Sequence, residues 1–217
     1  MGVAYDLVIS AHGLPNPEDV LGPVVVLGGP MGVGDMPDLD WLAREAQWIE
    51  ELLARNARLL GICLGAQLTA HVLGHQVAPC PTGAMECGYY PLQATSIDHG
   101  LPSHVYHWHR DCIINTPEGA ELEVLARYDW HQGRGVQAYR YGNAMGVQFH
   151  PEMTQATIVR WLERDTHHLD LPGTRPAHTH LDDHALYGQA AKAWTRQFLV
   201  AKWLLGGHLE QALTVEA

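Results

Sequence analysis

The segment Gly61-Ile62-Cys63-Leu64-Gly65-Ala66-Gln67 constrains this chain more than any other. An apolar run, Ala57-Arg58-Leu59-Leu60, leads into it, and a helical pattern, Leu68-Thr69-Ala70-His71-Val72-Leu73, leads out. Strand, sharp corner and helix in that order are the building unit of a parallel α/β sheet. The corner holds Cys63 between two glycines, each two residues away, so the thiol is lifted clear of the sheet. The helix behind it offers unpaired N–H groups and the positive end of a dipole. Both favour the thiolate.

An isolated cysteine is more often a small buried apolar group than a reagent. A second segment argues against that here. Ala144-Met145-Gly146-Val147-Gln148-Phe149-His150-Pro151-Glu152 reads as a buried strand that ends in a histidine, with a carboxylate two positions on. A cysteine with a distant histidine and an orienting acid is what nucleophilic catalysis needs: the base takes the thiol proton, and the acid fixes the imidazole tautomer and stabilises its cation.

Strand-like runs fall at Tyr5–Ile9, Pro23–Leu27, Ala57–Ile62, Tyr89–Leu92, His104–His109, Leu122–Ala126, Gly135–Tyr139 and Ala144–Phe149. A helix is expected from Asp40 to Arg55, with Leu42, Ala46, Ile49 and Leu53 on one face, and another from Thr154 to Arg164. The early alternation of strand and helix signals an α/β core, and the closely spaced runs from Tyr89 to Phe149 read as hairpins added at one end. Residues 1–164 form the main domain. Residues 165–217 read as a loop and a helix packed on it, with Asp182 as cap and Leu186, Ala190, Ala193, Phe198, Ala201 and Leu205 as the apolar face.

The Cys63 and His150 segments resemble the class I glutamine amidotransferases, whose nucleophile corner reads G-x-C-x-G-x-Q and whose base motif reads H-P-E. Leu27-Gly28-Gly29-Pro30-Met31-Gly32 is similar to that family's oxyanion loop. Two more segments, Glu86-Cys87-Gly88-Tyr89 and His107-Trp108-His109-Arg110-Asp111, resemble free-standing proteins related to the amidotransferase domain of GMP synthase. The resemblance implies a three-layer, flavodoxin-like fold with a mostly parallel sheet. It implies Cys63 as nucleophile, His150 as base and then acid, and Glu152 as the residue that orients His150. Gly29 and Leu64 would donate backbone N–H groups to the oxyanion, and Gln67, Glu86, Gly88, His109 and Asp111 would line the substrate site. In the related domain the last segment reads Ser-His-Gly-Asp, so Arg110 stands here in place of a glycine.

The implied reaction is glutaminase-type hydrolysis: ammonia leaves the glutamine side chain through a Cys63 thioester and passes to a separate synthase. Two other readings stay open, a stand-alone γ-glutamyl hydrolase and a catalytically silent binding homologue. Relatives begin with a further strand and helix that have no counterpart here. We therefore expect Met1 to mark an incomplete or misassigned start, with the missing unit encoded in frame upstream.

Composition narrows the partners. The 217 residues suit one domain, and no second catalytic domain is read within them, which is why the ammonia acceptor is expected on another polypeptide. A net charge of −11 with 13 Lys and Arg leaves no basic cluster to meet nucleic-acid phosphates. Cys63, Cys80, Cys87 and Cys112 lack zinc-site spacing and do not suggest a disulfide scaffold, and no run is apolar enough to span a bilayer. A soluble cytoplasmic protein without cofactor is expected. His107 and His109 alternate along one strand and share a face, yet spacing fixes no further ligand among His12, His131 or His150, so no metal site is expected.

Overall fold

A computed structural model describes residues 5–80, 82–129 and 133–197. Along the chain come β1 (Val24–Val26), α1 (Asp40–Ala54), β2 (Leu59–Ile62), α2 (Leu64–Val72), β3 (Gln76–Pro79), β4 (Glu86–Pro91), β5 (Gln93–Ala94), β6 (His104–His109) and β7 (Asp111–Ile114). Then follow β8 (Glu123–Tyr128), β9 (Gly135–Tyr141), β10 (Ala144–Val147), α3 (Gln155–Arg164) and α4 (Thr179–Trp194). The fold is mixed α/β.

One sheet runs β1-β2-β10-β9-β7-β3, with β8 on β9 and β5 on β8. Its parallel pairings are gathered in β1, β2 and β10, where Gly61 aligns with Val26 on one side and Gly146 on the other. The remaining pairings are antiparallel, and β9 serves β10, β7 and β8 in turn, which curls the sheet. A parallel strand must be covered on both faces, and every residue of β2 and β10 is buried. One face receives α1 and α2: Leu42, Ala46, Ile49 and Leu52 pack with Leu64 and Leu68 over Val26 and Leu59. On the other face Leu60, Ile62, Met145, Val147 and Phe149 meet Val105 of β6 and Trp194 of α4. The β4–β6 hairpin covers that side, with α3 and α4 packed against it. The result is three layers.

The structure departs from the sequence reading in four places. Tyr5–Ile9 is not a strand: among the described residues no strand pairs with it, Tyr5 and Leu7 are 82% and 76% exposed, and β1 stands at the sheet edge. The last helix starts at Thr179, not at an Asp182 cap, and it buries His180, Gly188, Ala191 and Trp194 while Leu186 is 71% exposed. Its orientation is set by His180, whose ring bonds Tyr106 Oη and the Arg175 carbonyl. Phe198, Ala201 and Leu205 lie outside the described residues. On α1 the residue that joins Leu42, Ala46 and Ile49 in the core is Leu52, while Leu53 is half-buried. Strands β3, β5 and β7, which no apolar pattern announced, complete the sheet. No helix of the described residues is long and apolar enough to cross a membrane.

Candidate active site

Three neighbouring parallel strands deliver three corners to one end of the sheet: β1 runs into Gly28-Gly29, β2 into Cys63, and β10 into Phe149-His150. The carboxyl ends of parallel strands are where open α/β sheets bind ligands.

Cys63 takes φ 51° and ψ −110°, a conformation that L-residues avoid. It is held there by its own backbone, whose N–H donates to Val147 O at 2.9 Å and whose carbonyl accepts from Gln67 N at 3.0 Å. The flanking glycines are steric necessities. A Cβ on Gly65 would stand 2.2 Å from Val26 O, and one on Gly61 would stand 2.6 Å from Ala66 N. The thiol is 5% exposed, with Sγ 4.0 Å from Trp108 O.

His150 is anchored by its backbone N–H, which donates to Tyr106 O at 2.8 Å. Its Nδ1 lies 2.7 Å from Glu152 Oε1. A carboxylate accepts, so the Nδ1 hydrogen points at Glu152 and Nε2 is left for the thiol. Burial by itself pushes the imidazole pKa down. The charge of Cys63, a hydrogen bond to it and the bond to Glu152 together outweigh burial and hold His150 at about 10. His150 is thus held as the imidazolium at neutral pH.

The Gly28-Gly29 corner passes against this pair. A Cβ on Gly28 would lie 3.1 Å from His150 Cε1 and 3.2 Å from the Cys63 Cβ. Gly29 neighbours Leu64, whose Cδ2 would be 3.4 Å from an added Cβ. Leu64 is the first residue of α2, so its N–H has no acceptor within the helix. The loop is closed by Gly32 N, which donates to Asp35 Oδ2 at 2.8 Å.

The remaining expected residues sort into two further groups. Gln67 is 3% exposed and its Nε2 donates to Asp111 O at 3.1 Å, tying α2 to β7. The Asp111 carboxylate points at the loop after β1, where a Cβ on Gly32 would meet Oδ2 at 2.7 Å, and burial pushes its pKa up. Glu86 and Gly88 face His109 and His107 across the β4–β6 pairing. Glu86 Oε2 sits 3.2 Å from His109 Nε2 within a buried network, away from open solvent. The space over Gly88 is filled by Arg175, whose Cβ would be 2.7 Å from an added Cβ and whose N–H donates to Cys87 O.

The sequence alone does not point to Trp161, whose ring meets the His150 imidazole edge-on at 4.9 Å and 85°. Nor does it give Glu86 as the partner of the two histidines, or Gln137 as the donor to Glu86. The alternation of His107 and His109 is visible in the sequence, but their third neighbour becomes known only from the register of β4 against β6. His131 lies outside the described residues.

The family model described as glutamine amidotransferase class-I matches residues 10–167. The glutamine amidotransferase-like protein YfeJ of Salmonella typhimurium is 30% identical over 187 residues, covering 80% of this chain and 74% of that one. One subunit of a glutamine-hydrolyzing GMP synthase from Methanopyrus kandleri is 35% identical over 160 residues, 67% of this chain and 77% of that protein. Among solved structures, a glutamine amidotransferase of Thermotoga maritima is 29% identical with a TM-score of 0.59, covering 88% of this chain and 78% of that one.

Proposed function

This chain belongs to the class I glutamine amidotransferase family, and on that premise we propose that it hydrolyses the side-chain amide of glutamine through a thioester at Cys63 and hands the ammonia to a separate synthase. The observation that carries the reading is the unbroken chain from Cys63 through His150 to Glu152, with the Glu152 contact at 2.7 Å.

In this reading the Cys63 thiolate attacks the carboxamide carbon while His150 holds the proton it has taken. The developing oxyanion is met by the N–H groups of Gly29 and Leu64. His150 returns the proton to the leaving nitrogen, the C–N bond breaks and ammonia departs. A water molecule then gives a proton to His150 as it attacks the thioester, glutamate is released and the thiol is restored. Glu152 keeps Nδ1 protonated throughout, so that Nε2 makes every transfer. Gln67, Glu86, Gly88, His109 and Asp111 are proposed to shape the substrate site, Gln67 and Asp111 as a bonded pair beside the oxyanion loop and the others by holding the β4–β6 hairpin. Arg110 takes the place of a glycine in this segment. The separate synthase is supported by the Methanopyrus kandleri relative, which is itself one part of a glutamine-hydrolyzing GMP synthase.

Ammonia release from glutamine by the purified chain tests the reaction. It should be measurable, absent in Cys63→Ala, and stimulated by the cognate synthase. Rapid cleavage of γ-glutamyl amines without any release of ammonia from glutamine would replace this reading with a γ-glutamyl hydrolase.

A further inference from the structure

Outside the Cys63 chain, the fold draws together a second set of reactive atoms. The antiparallel register of β4 and β6 places Glu86 opposite His109, and the pleat puts His107 on the same face. His107 Nδ1, His109 Nε2 and Glu86 Oε2 converge: the two nitrogens are 3.0 Å apart, and the oxygen is 3.6 Å from the first and 3.2 Å from the second. The three residues are only 1%, 5% and 8% exposed.

We propose that Glu86, His107 and His109 form a site for one divalent transition-metal ion of the zinc class, at the seam between the β4–β6 hairpin and the main sheet. The proposal does not depend on the reaction proposed for Cys63.

Size is the first argument. Zinc bonds to imidazole nitrogen and carboxylate oxygen at about 2.0–2.2 Å, so the ligands of a tetrahedral ion sit roughly 3.3 Å apart. The observed triangle matches that spacing, and one ion reaches all three atoms without backbone movement. Proton counting is the second. His109 Nδ1 lies 3.0 Å from Asp111 O, and since a carbonyl only accepts, that nitrogen carries the hydrogen. In a neutral ring Nε2 then presents a lone pair to the Glu86 carboxylate at 3.2 Å. Two lone pairs facing each other in a buried site require a positive charge between them.

Gln137 of β9 supplies the third argument. Its Nε2 donates to Glu86 Oε2 at 2.6 Å, while its Oε1 is buried with no hydrogen-bond partner among the described residues. A half-turn of this amide would direct the oxygen at the same point as a fourth donor.

The test uses the full chain as Cys63→Ala, so that the corner thiol cannot compete, freed of metal with chelator and titrated with Co²⁺ and then Zn²⁺. One equivalent of Co²⁺ should give visible ligand-field bands, Zn²⁺ should displace it, and Zn²⁺ should raise the thermal midpoint. Gln137→Leu should weaken binding about 10–100-fold, and His107→Gln with His109→Gln should abolish it. If the double variant does not fold, paramagnetic broadening by Co²⁺ in the parent decides. It should centre on Tyr90 and Phe149, whose rings lie 5.8 and 6.1 Å from that of His107. A folded parent that takes up no Co²⁺ at one equivalent would mean that a shared proton alone fills the cluster. That result, binding that survives in a folded double variant, or broadening centred elsewhere would overturn the proposal.

Discussion

At Cys63 a backbone cost and a side-chain task coincide. A non-glycine residue at φ 51° and ψ −110° is strained by on the order of 1–3 kcal/mol, and the strain is held by two backbone hydrogen bonds and by glycines that no other residue could replace. What it achieves is contact between the thiol and His150 beside the first free N–H of α2. The imidazole reports this contact directly. Its pKa of about 10 lies above the ordinary 6.5, so protonation of His150 stabilises the fold fully below about pH 6.5, and that contribution is lost as the pH rises through about 10. In Cys63→Ala burial is opposed by Glu152 alone, and the His150 titration followed by NMR should move to lower pH. An unchanged titration would separate the two residues. Across from the thiol, Gly29→Pro removes one proposed oxyanion donor and should lower kcat for glutamine roughly 10²–10³-fold, measured by ammonia release, with thermal stability as the control for folding.

Among the elements, the corner between β2 and α2 tolerates least. A Cβ on Gly65 would press on Val26 O, which belongs to the backbone of β1 and cannot swing aside. Gly65→Ala should therefore destabilise the chain by about 1–3 kcal/mol in denaturant unfolding and also displace Cys63 from His150. The parts of the fold that read clearly in the sequence are those whose burial is decided locally. Strands β1, β2, β6, β8, β9 and β10 carry apolar runs, and α1 carries a 3.6-residue stripe. What escaped depends on partners far along the chain. Gln76–Pro79 and Asp111–Ile114 are short and each opens on a polar residue, and they become strands by pairing with each other. Tyr5–Ile9 has the right residue types but no strand beside it. The buried face of α4 follows from the bonds of His180 to Tyr106 and Arg175, which no periodicity encodes. The same holds within the site. That Cys63, Gly29 and His150 each close a strand was legible from their distinctive corners, whereas Trp161 reaches His150, and Gln137 reaches Glu86, only through tertiary packing.

On the scale of the whole molecule, the three-layer arrangement explains why residues from positions 28, 63 and 150 meet at all. Parallel strands β1, β2 and β10 lie side by side, so their carboxyl ends open onto one place. The hairpin and the last helix close the opposite face over Phe149 and Trp194. Everything proposed about glutamine and about a partner synthase rests on Cys63 being a working nucleophile in this assembled chain. That is tested most directly by incubating the intact protein with 6-diazo-5-oxo-norleucine, a glutamine-derived electrophile, and locating the adduct by peptide mass spectrometry. The expected result is one adduct, on Cys63, that is lost in Cys63→Ala and suppressed by excess glutamine. A folded protein that remains unlabelled, or that is labelled equally at Cys80, Cys87 or Cys112, would contradict it.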